Sequence, residues 1–407
     1  MTFKPKLNSI KTFNLWSIFY CFILLLSLIY NTLFVDSNYP ISDFFINYHG
    51  GFIRRGLLGE CLLYLYGYGI SPFLIIYILC ISSFLIIAIF MVYNFYKRGY
   101  ALGILTTSFM LGGVGLFGFA FFRRDFILLS IFLLIIYLRK RISFPFWLLF
   151  GNILSIIAIL CHEPYAFWAL PFLICITHLR QKNWLISSLL WLPSLLAFLL
   201  CIHFSGNLEQ YLAIRKATES FIEYPNVIDF LHFKTDSVMK WHFSSIFLDR
   251  VHHIPNIIGS MISISVAIYI STTAVSVYNN TLKEEDRTNY SLLFMLAITC
   301  LFPMFTILSI DYSRTCMYAA ISAYIVFFML TEEECRLLFP PKIYQCGTFL
   351  LNKMDTLIPP SRTKVLLIIL LIGTVETTDQ STLGLFRDSE IGNTLVCIYK
   401  TIMLICH

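Results

Sequence analysis

Charge is scarce in this chain. Asp, Glu, Lys and Arg make up 13% of the 407 residues, against 58% hydrophobic residues, where a soluble domain carries about 25% charge. With a mean hydropathy of +0.77, the composition excludes an ordinary water-soluble globule and points to a chain that crosses a membrane many times. A large basic excess is missing too: 29 Lys and Arg stand against 23 Asp and Glu. Loops flanking membrane spans account for that surplus, so no nucleic-acid partner is expected. The 12 Cys form no CxxC pair and no zinc spacing, and Cys80, Cys161, Cys201 and Cys300 lie inside apolar runs. They read as small buried hydrophobes, which leaves no disulfide framework. The adjacent His252 and His253 point apart on a helix without a third ligand nearby, so no metal is expected. No phosphate-binding glycine loop, nucleophile elbow or zincin motif is present, which argues against nucleotide, hydrolase and protease chemistry of the soluble type. No cofactor is expected.

What the chain has instead is apolar runs of membrane-spanning length, about 20 residues each. Candidates lie near 14–35, 70–93, 100–121, 126–138, 145–161, 165–179, 184–204, 255–278, 289–309, 315–331 and 364–376. The fold expected is therefore all-α, a single integral membrane domain over 1–407 with about 11 spans, between 10 and 12. The first run follows Lys4, Lys6 and Lys11 without a small-residue cleavage site, so it reads as a retained span with a cytoplasmic N-terminus. On that threading Lys97-Arg98, Arg139-Lys140-Arg141, Arg180 with Lys182, Lys283 with Arg287 and the 336–364 group all fall inside. A larger extracytoplasmic loop covers 205–254, with an amphipathic helix over Leu208 to Ile222. Its mixed aromatics and charges suit either a surface for sugars and lipid headgroups or a lid on the membrane. The run 391–406 is a last span or an interfacial helix.

The same threading puts the polar turns on the outer face, where Lys and Arg are normally few. They carry Arg54-Arg55, Arg123-Arg124-Asp125, His162-Glu163, and Asp311 with Arg314. A polar group at the edge of hydrocarbon is costly unless solvated or paired, so four such clusters on one face imply a polar cavity. Gly50-Gly51 permits a tight turn ahead of Arg54-Arg55. Paired guanidiniums are planar forks suited to phosphate oxygens; the plainer reading is two side chains snorkelling to headgroups. Asp36 or Asp43, in the same loop, is placed to accept a hydroxyl proton. Asp125 reads as a helix-start charge or ion-pair partner, and Arg123 and Arg124 as further phosphate ligands. Pro164 ends one span or starts the next and leaves His162-Glu163 in the turn, either as a general base or as a pair satisfied within the bundle. Asp311 and Arg314, three apart, fit an i,i+3 ion pair or an extension of the phosphate site. A cavity outside the cytoplasm has no nucleotide sugars or ATP to draw on, so a lipid-carried phosphate substrate entering between helices is the natural partner.

The tract RRDFILLSIFLLIIYLRKR, followed by WLLFGNILSIIAILCHEPYAFWALP, looks like the paired spans of membrane glycosyltransferases of the C-type superfold. In that superfold the first outer loop carries an acidic catalytic residue, a place that Asp43 or Asp36 matches by position. The size, the many spans and the one sizeable outer loop resemble bacterial O-antigen polymerases (Wzy-type), which act on undecaprenyl-diphosphate-linked repeat units. The richness in Ile, Phe, Tyr, Asn and Lys is similar to genes of surface-polysaccharide clusters. The chain departs from both: no acidic pair follows the first span, and the Arg pairs lie in the first loop and a short turn where the polymerases carry their functional Arg in large outer loops.

This resemblance implies an inner-membrane enzyme of surface polysaccharide assembly that forms glycosidic bonds on the outer face, with polymerisation favoured over single-sugar transfer. A flippase or transporter of lipid-linked glycan is the alternative from another class. In the enzymatic reading Arg54, Arg55, Arg123, Arg124 and Arg314 hold the donor phosphate, while Asp43, His162 and Glu163 form the acid–base group. Asp125 and Asp311 support them. The expected partners are an undecaprenyl-linked glycan, membrane lipid and other polysaccharide assembly proteins.

Overall fold

The computed structural model describes residues 38–97, 122–232, 284–304 and 312–357, with the single positions 359, 395, 398–399 and 402–403. The spans expected near 14–35, 100–121, 255–278 and 364–376 lie outside the described residues, as do most of 391–406, residues 233–254, Asp36, the two adjacent histidines and Asp311.

Among the described residues the chain is helical throughout and contains no strand. A short helix α1 (Asn38–Ser42) runs into a 3₁₀ turn (Asp43–Phe45), and α2 (Gly56–Tyr66) follows the Arg54-Arg55 pair. Next come α3 (Pro72–Lys97), α4 (Asp125–Leu138), α5 (Phe144–Cys161), α6 (Tyr165–Trp168), α7 (Leu170–Gln181), α8 (Trp184–Leu189), α9 (Leu192–His203) and α10 (Leu208–Thr218). A 3₁₀ turn (Val227–His232) precedes α11 (Glu284–Cys300), α12 (Tyr312–Met329), α13 (Glu332–Leu337) and α14 (Pro341–Leu357).

Two of these are long and apolar enough to cross a membrane, within Pro72–Phe95 and over Phe144–Cys161. A third span is counted if α9 and α10 are taken together, but they meet at 94°. Glu209, Arg215 and Lys216 on α10 are poor company for hydrocarbon, so α10 is better read as a cross-piece than as a continuation. The outward faces of α3 and α5 carry Leu74, Ile78, Ile89, Phe146, Leu149 and Phe150 exposed, as lipid-facing helices do. These surfaces fit membrane association.

The run at 165–179 is two helices broken at Ala169, and 184–204 is likewise split before Leu192. Pro171 and Pro193 are the second residues of α7 and α9, and a proline has no N–H to bond to the turn before it. The helix read to Ile222 ends at Thr218. α2 was not visible as an element, because its 11 residues are too few to register as a span.

Polar side chains tie the apolar helices together. Asn152 donates to the Leu190 carbonyl at 3.0 Å and accepts from Ser194 at 2.9 Å, while Trp191 Nε1 donates to Thr177 at 2.9 Å. Such bonds between helices give register where the hydrophobic effect gives none. α4 packs between α3 and α5 and also meets α12. It therefore brings the RRD turn, the HE turn and Arg314 to one end of the bundle.

Candidate functional site

The site begins with backbone. α5 stops at His162, whose φ of −163° and ψ of 112° are extended, and Pro164 bars helical geometry just before itself. His162 and Glu163 thus leave the end of α5 in a tight corner. On the first loop, Gly51 adopts φ +99°, and a Cβ on Gly50 would lie 2.6 Å from the Cα of Gln210. The turn needs glycine at both places, one for handedness and one for contact with α10. Gln210 completes the seam by donating to the Phe52 carbonyl at 2.9 Å. Arg55 itself sits at φ 65°, ψ 4° at the start of α2, a left-handed conformation that is strained for any side chain with a Cβ. Surrounding contacts hold it there.

Those contacts are ionic. Arg55 donates through Nε to Glu163 Oε2 at 2.8 Å and through Nη2 to Oε1 at 2.7 Å, while Arg54 Nη1 reaches Oε1 at 3.3 Å. Asp43 lies 3.6 Å from Arg55 Nη1 and 3.4 Å from Arg124 Nε. Arg124 is 1% exposed; it donates to the Arg55 carbonyl at 3.1 Å and also to the carbonyls of Cys161 and Asp43. One buried guanidinium therefore fastens the first loop, the start of α2 and the end of α5. Next to it, Arg314 grips Asp125 through Nε at 2.8 Å and Nη2 at 2.7 Å. Tyr318 donates its hydroxyl to the same carboxylate, its ring stacked on Trp168 at 5.1 Å and 14°.

Ten residues were expected at the site, and the structure gathers nine of them on this end of the bundle; Asp311 lies outside the described residues. Three have roles different from the simplest reading. Arg124 is engaged by protein carbonyls and Asp43, so in this conformation it positions the site instead of offering a free fork. Arg314 holds Asp125 across 189 residues, a tertiary pair where a local i,i+3 pair was the plainer expectation. Arg123 is half-buried, and its carbonyl accepts from the Cys80 thiol at 3.7 Å. Tyr318 was missed, although its place four residues after Arg314 puts both on one face of α12.

The electrostatics follow from burial. Four guanidiniums, those of Arg54, Arg55, Arg124 and Arg314, face the three carboxylates Asp43, Glu163 and Asp125, which leaves a surplus positive charge before Arg123 is counted. Burial raises the Glu163 carboxyl, but Arg55 and Arg54 overcome it and hold the group well below the usual carboxylate range. Burial likewise raises Asp43, and Arg124 with Arg55 brings it below its ordinary value. His162 moves down to about 4, first through burial and then through Arg55, against the opposite pull of Glu163 and Asp43. Its imidazole is therefore neutral at physiological pH. Asp43 Oδ1 lies 3.6 Å from Arg55 Nη1 and His162 Nδ1 lies 3.5 Å from Glu163 Oε2, while Arg54 Nε is buried without a hydrogen-bond partner, a donor left for something else to meet.

Among the described residues no group of His, Cys, Asp and Glu is arranged to hold a metal ion. The cluster's donors, nearly all guanidinium, suit an oxyanion. Compared with known proteins, the chain matches no family model, no curated protein and no solved structure.

Proposed function

We propose that this chain is an integral membrane glycosyltransferase that joins sugars carried on undecaprenyl phosphate or diphosphate at the outer face of the bacterial inner membrane, and that it polymerises repeat units of a surface polysaccharide. The observation that carries this reading is the surplus of guanidinium over carboxylate at one end of apolar helices, with Arg54 Nε buried and making no hydrogen bond. A diphosphate ester offers the charge and the acceptor oxygens that such a cluster lacks. The remaining parts of the proposal are a bundle of about 11 spans, a cytoplasmic N-terminus and an outer loop over 205–254. Arg139, Lys140 and Arg180 line one cavity at the far end of α4 and α7 from the cluster, which supports a threading that keeps basic turns together on the inner face.

In the reaction an acceptor hydroxyl oxygen bonds to the anomeric carbon of the donor sugar as the carbon–oxygen bond to the diphosphate breaks. The lipid diphosphate leaves with the electron pair. Arg54 and Arg55 neutralise it, and the hydroxyl proton passes to Asp43. Arg124 and Arg55 keep Asp43 a weak base. Incoming phosphate takes up guanidinium charge, so the carboxylate gains basicity only when a donor is bound. Glu163 holds the two arginines in register until then, and neutral His162 stands beside it with Nδ1 3.5 Å from Glu163 Oε2.

The test is glycan chain length from purified protein and an undecaprenyl-diphosphate-linked repeat unit. Asp43→Asn should abolish elongation, and Arg54→Ala should lower it by 10² or more, the effect of removing one charge-stabilising donor from a dry site. Full-length chains from both variants at equal protein abundance would sink the reading.

A further inference from the structure

A second polar feature lies at the opposite end of α4, and the mechanism above makes no use of it. The 14 residues of α4 separate its two ends by ~21 Å at 1.5 Å per residue. There a cavity of ≈ 170 Å³ is lined by Arg139, Lys140, Phe144, Trp147, Ile176 and Arg180. That is several times the ~30 Å³ that one water occupies in the liquid. Trp147 and Ile176, each 2% exposed, form an apolar floor, with the indole N–H turned away to the Ile135 carbonyl at 2.8 Å. Arg180 lies over the Phe144 ring with its guanidinium carbon 4.5 Å from the centroid.

Three cations meet here, and one carboxylate answers them. Glu334 pairs with Arg139 and stands 4.0 Å from Lys140. Its neighbours Glu332 and Glu333 are exposed and do not line the cavity. Arg139 Nη1 is buried without a hydrogen-bond partner. Lys140 and Arg180 are exposed and Arg139 is more buried, and all three line the one space, with an unfilled donor on Arg139.

We infer that this cavity binds the phosphate group of an anionic molecule, held by Arg139, Lys140 and Arg180 against the Phe144 and Trp147 rings. A phospholipid headgroup from that leaflet and free phosphate share the chemistry, and a basic pocket between membrane helices is a known setting for the first. The inference does not depend on the reaction proposed for the other end.

The experiment uses the full chain in nanodiscs of phosphatidylcholine, of phosphatidylcholine with phosphatidylglycerol, and of phosphatidylcholine with millimolar inorganic phosphate, reading the thermal unfolding midpoint. A rise with phosphatidylglycerol alone identifies a lipid headgroup, and an equal rise with inorganic phosphate identifies the free anion. In either case Lys140→Ala with Arg180→Ala should unfold normally in phosphatidylcholine but lose the rise. Arg180→Gln alone should weaken the apparent affinity by roughly tenfold, the factor for one lost charge-assisted hydrogen bond. Lys342→Ala with Lys353→Ala removes the same charge from exposed positions of α14 and should keep the rise. No rise with any ligand, a rise that survives in Lys140→Ala with Arg180→Ala, or one lost equally in the α14 variant overturns the inference.

Discussion

At the level of single residues, the two arginine pairs separate by burial. Arg54, with 26% of its side chain exposed and one contact at 3.3 Å, is free to change partner; Arg124, at 1%, is not. Arg54→Lys should therefore leave the unfolding midpoint unchanged while lowering turnover about tenfold, because an ammonium keeps the charge but loses the planar fork. Arg124→Lys should lower stability by about 1–3 kcal/mol, since one ammonium cannot reach three carbonyls and Asp43 together. Equal stability losses in the two variants would remove the distinction between binding and positioning. His162 gives a second test through pH. Its pKa is depressed from 6.5 to about 4 in the folded chain, so the unfolded chain binds the extra proton first. Its contribution is complete above pH 6.5 and is lost as pH falls towards 4. Asp43 and Glu163 are also depressed, from 3.8 and 4.5, so their losses begin lower. The decline in unfolding midpoint from pH 6.5 down to about 5.5, above the range where Glu163, Glu334 and Asp43 begin to lose their contributions, is therefore assigned to His162, and His162→Gln should flatten it. A wild-type slope retained in the variant would place the titration elsewhere.

At the level of elements, the sequence marks helix ends better than helix neighbours. Pro164 announces where one helix stops and the next starts, whereas Pro171 and Pro193 interrupt the runs 165–179 and 184–204 that read as continuous; the spans read near 70–93, 126–138, 145–161 and 315–331 correspond to α3, α4, α5 and α12. The pairing of Arg314 with Asp125 was not legible, because a local partner three residues away satisfied the same pattern. Nor was α2, whose course is set by contact instead of hydropathy. A Cβ on Gly59 would lie 2.0 Å from the Ile46 carbonyl oxygen and 2.8 Å from that of Phe44. Both obstacles are backbone, so no side-chain rotation relieves them. Gly59→Ala should cost about 1–3 kcal/mol or more and, by pushing α2 off the first loop, carry Arg54 and Arg55 away from Glu163. Cys61→Ala, at an exposed position of the same helix, should change neither stability nor activity. If Gly59→Ala matched it in both measurements, α2 would not be seated on the first loop.

At the level of the whole molecule, helix lengths place the two polar ends relative to the bilayer. α5, with 18 residues, covers ~27 Å and nearly matches a ~30 Å hydrocarbon core. α4 covers only ~21 Å, so Asp125, Arg124 and the groups bonded to them sit below the end of α5 if the two helices share a lower edge. A recess of that kind would be reached from the side by the lipid-borne phosphate proposed above more readily than by a soluble sugar, and pairing with carboxylates limits the cost of its cations at the membrane edge. The arrangement demands opposite exposure of the two ends. In a chain whose 12 Cys are replaced, His49→Cys in the exposed first loop should react with a membrane-impermeant maleimide on intact spheroplasts. Arg141→Cys, just beyond α4, should react only after the membrane is opened. Reaction of both from one side would put the arginine–carboxylate cluster and the basic cavity on the same face. The lateral route for a lipid-linked donor would then fail together with the threading that predicts it.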